Sequence, residues 1–115
     1  MNNNLALCYL NIIPMNITID EAGGVVSAAI SGRLDTLAAT ESQGSFALLH
    51  NHASEKIVLD CGGLEYISSS GLRLFLALLK DVKAQGGELE LHNVNDEIGN
   101  IFSITGFDKL FNIKR

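Results

Sequence analysis

The 115-residue chain contains no tryptophan, a single proline at position 14, two cysteines, and eight lysine or arginine residues against thirteen carboxylates. The last two scarcities each remove a class of function. Cys8 and Cys61 stand far apart with no second ligand pair beside either, so neither a disulfide framework nor a zinc site is signalled. A formal net charge of −5 without a basic cluster argues against nonspecific nucleic-acid binding, which needs Lys and Arg to replace the counterions of phosphates. No apolar run approaches the ~20 residues of a membrane-spanning helix. The nearest, Leu5 to Ile13, is too short, and it lacks the basic leader and small-residue cleavage signal of a secretory peptide. The expected location is the cytoplasm.

What is present is 47% apolar residues, enough for one domain with its own core and too few residues overall for two. Residues 1–14 read as an extension and residues 15–115 as the domain, because a clear strand pattern opens at Met15, directly after Pro14. Ile17 and Ile19 alternate with polar neighbours, Gly23-Gly24 turns the chain, and Val26, Ala28 and Ile30 resume the period of two, so residues 15–31 predict an antiparallel hairpin. Leu37 to Leu49 is moderately helical, with Asp35 or Thr36 as its cap and Gly44 weakening it. Lys56 to Asp60 is a short apolar run of the kind found in a central parallel strand covered on both faces, followed by a turn at Gly62-Gly63. A helix is expected from about Gly71 to Gln85, its core face made by Leu72, Phe75, Leu76, Leu79 and Val82. A strand over 88–94, a helix capped by Asn95 or Asp96 and stopped at Gly106, and a short last strand near 110–113 complete the series. The order implies an α/β fold in which helices cover a mixed β-sheet.

Little in this sequence suggests catalysis. His50, His52 and His92 have no ligand partner at metal-site spacing and read as surface residues, and neither a metal nor a cofactor is called for. A Ser-His-Asp triad need not be contiguous in sequence and stays a minor alternative. Gly62-Gly63 and Gly86-Gly87 lack both the P-loop ending and the dinucleotide fingerprint. The pairs Asp20-Glu21 and Asp96-Glu97 fall at a turn and a helix start, where hydration and the helix dipole favour acids.

One junction is unusual. Ser68, Ser69 and Ser70 stand together immediately before the most apolar helix, although a single serine is enough to cap it. The others are either filler or a site. A phosphate there would meet free N–H groups and add about −1.5 to −2 charges without unfolding the domain. Leu74 and Leu78 lie outside the core stripe of the same helix; they are either buried under neighbouring elements or form an exposed ridge suited to a protein partner.

Two motifs give these residues a context. Gly32-Arg33-Leu34-Asp35 matches Gly-x-Leu-Asp, and Asp60-Cys61-Gly62-Gly63-Leu64-Glu65-Tyr66-Ile67-Ser68-Ser69-Ser70-Gly71-Leu72 matches the strand, loop and phosphorylation segment of one family. Over about residues 15–113 the chain resembles the STAS domains, and among them the small bacterial anti-sigma factor antagonists. The resemblance implies a STAS-like mixed sheet with an N-terminal antiparallel hairpin and covering helices. It also implies a phosphorylation-controlled regulator that binds an anti-sigma factor serine kinase and thereby releases a sigma factor, with a serine phosphatase reversing the modification. The phosphorylated residue would be Ser69, with Ser70 as the alternative, and Asp35, Ser68, Ser69, Ser70, Gly71, Leu74 and Leu78 would form the partner-binding set. ATP and metal would belong to the partners. Two departures stand out: Ser68 occupies a position that is Asp in many members, and the chain stops at Arg115 where related domains often continue into another helix. The runner-up reading is a STAS scaffold or accessory module of another signalling or transport assembly; a small hydrolase ranks third.

Overall fold

The computed structural model describes residues 15–114. Residues 1–14, expected from the sequence to be an extension, lie outside the described residues. Strands β1 (Met15–Ala22) and β2 (Val25–Leu34) form the expected antiparallel hairpin. Gly23 and Gly24 make its turn with φ of +61° and +81°, a backbone that a side chain would strain at both positions. After β2 come α1 (Thr36–Glu41), α2 (Gln43–His50), β3 (Lys56–Ile67), α3 (Ser69–Gln85), β4 (Glu88–His92), α4 (Asp96–Thr105), a single 3₁₀ turn (Phe107–Lys109) and β5 (Asn112–Lys114). The sheet order is β1-β2-β3-β4-β5, antiparallel in the first pair and parallel thereafter.

Right-handed crossovers between strands laid down in one direction deliver every helix to the same side of the sheet. The burial pattern records this. Val26, Ala28 and Ile30 of β2, Ile57, Leu59 and Cys61 of β3, and Leu89 and Leu91 of β4 are buried, whereas the residues between them, Ser27, Ala29, Val58, Asp60, Glu90 and His92, face outward and are exposed or half-buried. The expectation that β3 is covered on both faces is therefore corrected: one face is core and the other is polar. On the polar face Glu90 pairs with Lys56 at 3.5 Å and with His92 at 2.8 Å, and these contacts hold its carboxyl below the usual range, the His92 hydrogen bond first.

The expected helix over 37–49 is two helices. Ser42 ends the first by turning its hydroxyl back onto the Ala38 carbonyl at 2.6 Å, and the chain restarts at Gln43. The turn expected at Gly62-Gly63 is instead part of β3. Against β2, the longer β3 gains one residue between Asp60 and Gly63 and another between Leu64 and Tyr66, so it bends where a turn was anticipated. The fourth strand ends at His92, two residues early, because Asn93 takes a φ of +58°. Gly106 stops α4 as expected, in the left-handed conformation.

Helix α3 lies on the sheet and is also flanked by α1 and α2. Two adjoining faces are thus covered, and the stripe that vanishes from solvent is Leu72, Phe75, Leu78, Leu79 and Val82. Leu78 is fully buried while Leu76 is only half-buried, the reverse of the helical-wheel assignment. With no tryptophan to fill the interior, all five phenylalanines are linked in a chain: Phe46 to Phe75 at 5.8 Å, Phe75 to Phe102 at 6.2 Å, Phe102 to Phe111 at 5.4 Å and Phe111 to Phe107 at 6.3 Å. His50 Nδ1 and Asp81 Oδ2, 2.7 Å apart, join the end of α2 to α3. Burial pushes the Cys61 thiol up to about 12, so it packs as a small apolar group.

The burial difference along α3 is measurable. Leu78→Ala is expected to cost about 2–5 kcal/mol in urea unfolding, and Leu76→Ala clearly less. Equal losses at the two positions would contradict the orientation of α3.

Candidate functional site

The site is built where β2 and β3 end side by side. The Ser68 N–H donates to the Leu34 carbonyl at 2.9 Å, carrying the strand pairing one step beyond the last β3 residue. Ser68 then caps α3: its backbone is extended, its Oγ accepts the Gly71 N–H at 3.2 Å and its carbonyl accepts the Leu72 N–H at 2.9 Å. Its side chain is buried. Gly71 packs so tightly that a Cβ would lie 2.8 Å from Leu34 Cγ and 2.9 Å from Ile67 Cγ1. The residue after Leu34 is Asp35, which caps α1 through an Ala38 N–H bond to Oδ1 at 2.8 Å. One strand-end contact thus brings two helix starts together, each opened by its own side-chain cap.

This division of labour sorts the three serines. Ser68 is inside the fold as a cap; Ser69, in the first turn of α3, is exposed; Ser70 is half-buried. Ser70 lines a groove of about 340 Å³ with Arg73, Leu74 and Ala77 from α3 and with Ala39, Thr40 and Gln43 from the α1–α2 segment. Leu74 is half-buried in it. Leu78 does not reach it: that member of the expected partner-binding set is corrected to a core residue, since α1 and α2 cover its side of α3. Gly71 is buried as well and shapes the site by its lack of a side chain. Asp35, Ser68, Ser69, Ser70, Gly71 and Leu74 are gathered at the junction.

Several contributors escape sequence reasoning, although Asn95 is expected as a cap. Asp60 Oδ1 accepts the Gly62 N–H and the Asn93 side-chain N–H, both at 3.0 Å, bracing the first irregularity of β3. These two bonds, Asn93 first, hold the Asp60 carboxyl below its ordinary range. Asn95 donates through Nδ2 to the Leu64 carbonyl at 3.0 Å and caps α4 by accepting the Ile98 N–H at 2.9 Å, tying the second half of β3 to that helix. Leu37, in the first turn of α1, is 63% exposed, a large apolar side chain next to Asp35. Arg33 places its guanidinium 4.5 Å from the centre of the Tyr66 ring. Arg33 also lines a wide cleft of about 520 Å³ with Glu65, Asn95, Asp96 and Glu97. The periodicity of the sequence carries no signal for long-range bonds such as Asp60 to Asn93. An exposed leucine on an otherwise apolar helix is likewise indistinguishable from a core residue until the helix is placed.

The histidines, read from sequence as solvated surface residues, each meet a carboxylate: His50 with Asp81, His52 with Glu55 at 2.7 Å, and His92 with Glu90. Among the described residues none of them bonds Ser68, Ser69 or Ser70. Glu21, His52 and Glu55 bring three metal-ligating atoms within 4.8 Å of one another at the opposite end of the strands. The Glu55 hydrogen bond, the largest of several causes, raises the His52 pKa. No helix among the described residues is long and apolar enough to cross a membrane.

Residues 16–115 match the family model described as the STAS domain. BtrV of Bordetella bronchiseptica, a candidate anti-sigma factor antagonist, is 32% identical over 97 residues, covering 84% of each chain. The anti-sigma-B factor antagonist of Staphylococcus aureus is 26% identical over 99 residues, covering 86% of this chain and 92% of the relative. Among solved structures, the Bacillus anti-sigma factor antagonist SpoIIAA shares the fold. Its unphosphorylated form has a TM-score of 0.69 at 18% identity over 85% of this chain and 87% of its own. Its phosphorylated form has a TM-score of 0.65 at 18% identity over 85% and 90%.

Two outcomes follow from this geometry. Ser68→Ala removes a buried cap and is expected to destabilise the fold by about 1 kcal/mol, while Ser69→Ala falls within about 0.5 kcal/mol of wild type; denaturant midpoints compare them. Asp60 has its folded-state pKa lowered, so its contribution to stability is present above the unfolded value near 3.8 and is lost as pH falls through the folded pKa. Asn93→Ala should return the Asp60 titration midpoint upward, followed by NMR of the carboxyl carbon, and should shrink the acid-side loss of stability.

Proposed function

Because the chain belongs to the STAS domain family, we propose that it is an anti-sigma factor antagonist whose docking is switched by phosphorylation of Ser69. Its curated relatives carry names of regulators rather than of enzymes. The observation that carries the reading is the separation of roles among the serines: Ser68 is consumed by the fold, Ser70 is half-buried, and Ser69 alone of the three is exposed, at a helix start beside the Asp35 cap.

In the unmodified state the patch formed by Asp35, Ser69, Ser70 and Leu74, with Leu37 as an apolar anchor, docks on an anti-sigma factor kinase and frees the sigma factor it holds. The kinase then transfers a phosphoryl group from its own ATP. The Ser69 Oγ attacks the γ-phosphorus, its proton passes to a base on the kinase, the bond to the bridging oxygen breaks and ADP leaves. Ser69 Oγ makes no hydrogen bond within the described residues, so esterifying it takes nothing from the fold. The added charge of about −1.5 to −2 instead lands at the centre of the docking patch. A serine phosphatase returns the hydroxyl by hydrolysis. The proposed compartment is the cytoplasm, where such a kinase meets its sigma factor.

The test is complex formation with a serine-kinase anti-sigma factor, with and without ATP, followed by fragment mass spectrometry. Ser69→Ala is expected to bind and to resist release by ATP; Ser69→Asp is expected to bind more weakly. Phosphate confined to Ser68 or Ser70, or ATP-dependent release of the Ser69→Ala protein, would sink the assignment. Stable, ATP-insensitive incorporation into a larger complex would favour a scaffold or accessory role.

A further inference from the structure

Arg73 is exposed on α3 and is the one charged residue lining the groove beside Ser70. Its helical neighbours at three and four residues are Ser69, Ser70, Leu76 and Ala77, none of them acidic. The facing wall of the groove, Ala39, Thr40 and Gln43, adds no charge. Among the described residues Arg73 makes no ion pair, whereas other charged residues near helix ends and strands have found partners, as Asp81 has in His50 and Glu90 in Lys56. Within its own helix, the hydroxyl-bearing neighbours of Arg73 at the three- and four-residue spacing of helical side-chain pairs are Ser70 and Ser69.

We propose that Arg73 is the built-in counter-charge for the phosphate on Ser69: once that residue is modified, the guanidinium four positions along the exposed face of α3 pairs with it. An anion preceding a cation by four residues is the favourable orientation for a helical ion pair. A guanidinium offers two parallel N–H groups to phosphate oxygens, and a doubly charged phosphate binds it more strongly than a carboxylate does. The pairing gives the switch a second effect. Modification adds negative charge at Ser69 and also draws the groove's only cation out of use, so a carboxylate on a partner that had used Arg73 loses it. The inference rests on Ser69 as the modified residue and assigns the means by which the modified state is held.

The experiment does not depend on any kinase. Phosphoserine is placed at position 69 of the full chain by genetic encoding, and the phosphate is titrated by ³¹P NMR in the wild-type, Arg73→Gln and Arg73→Lys backgrounds, with far-UV circular dichroism to verify folding. Free phosphoserine has its second ionisation near pH ~6. Pairing predicts a midpoint about 0.2–0.4 units lower in wild type than in Arg73→Gln, a difference that Arg73→Lys largely preserves and 0.5 M salt diminishes. Equal midpoints in wild type and Arg73→Gln would overturn the pairing, as would a larger Arg73-dependent shift for phosphoserine placed at position 70 than at 69. Failure of the Ser69 assignment itself would be seen separately, as kinase-delivered phosphate on another serine.

Discussion

The hydrogen bond from Ser68 N–H to the Leu34 carbonyl, 2.9 Å long, is the contact on which the candidate site of this protein turns. It joins the last residue of β2 to the residue that follows β3, at the points where each strand gives way to a helix. Downstream of one partner Asp35 opens α1; at the other, Ser68 opens α3. The bond costs the chain little, since both groups would otherwise be strand-end amides in search of partners. It also fixes the two caps relative to each other with the rigidity of a sheet rather than of a loop. Gly71 completes the arrangement by letting α3 approach Leu34 and Ile67 closely, which a methyl group would prevent.

Behind that end, the sheet and its single layer of helices distribute the work of stability. The apolar face of each strand and the phenylalanine chain from α2 to Phe111 bind every helix to one core, while the other face of the sheet is left to serines, carboxylates and their cationic partners. The start of α3 borders this core, with Ser68 buried and Gly71 packed against Leu34 and Ile67. Ser69 is at that boundary: its neighbours in sequence, Ser68 and Ser70, are progressively drawn into the protein, and it is not.

Much of this was legible in the sequence, for reasons that differ by element. The hairpin was announced by alternation around Gly23-Gly24, α4 by Asn95 and Gly106, and the Asp35 cap by a carboxylate after the last strand residue. These signals act over a few residues. What failed involved contacts between segments distant in sequence. Leu78 could not be assigned from a wheel that counts only one covered face, when α1 and α2 bury a second. The bend of β3 reads as a turn in sequence because Gly62-Gly63 has turn chemistry, whereas its bracing by Asn93 comes from more than thirty residues away. The helix break at Ser42 lay between, since a serine that bonds back to the preceding turn is common in unbroken helices too. At the candidate site the motif names a segment, and only the three-dimensional arrangement distributes its serines between cap, groove and surface.

The cap of α3 depends on a partner thirty-four positions earlier in the chain, and that partner is itself held in place by the pairing of β2 with β3. An emerging or unfolded polypeptide has the three serines and the glycine in order, yet it has neither the fixed helix start nor Asp35 beside it. The arrangement is thus a certificate of completed folding. A partner that recognises the junction, rather than the local sequence, spends no effort on chains that have not yet assembled their first parallel strand pair.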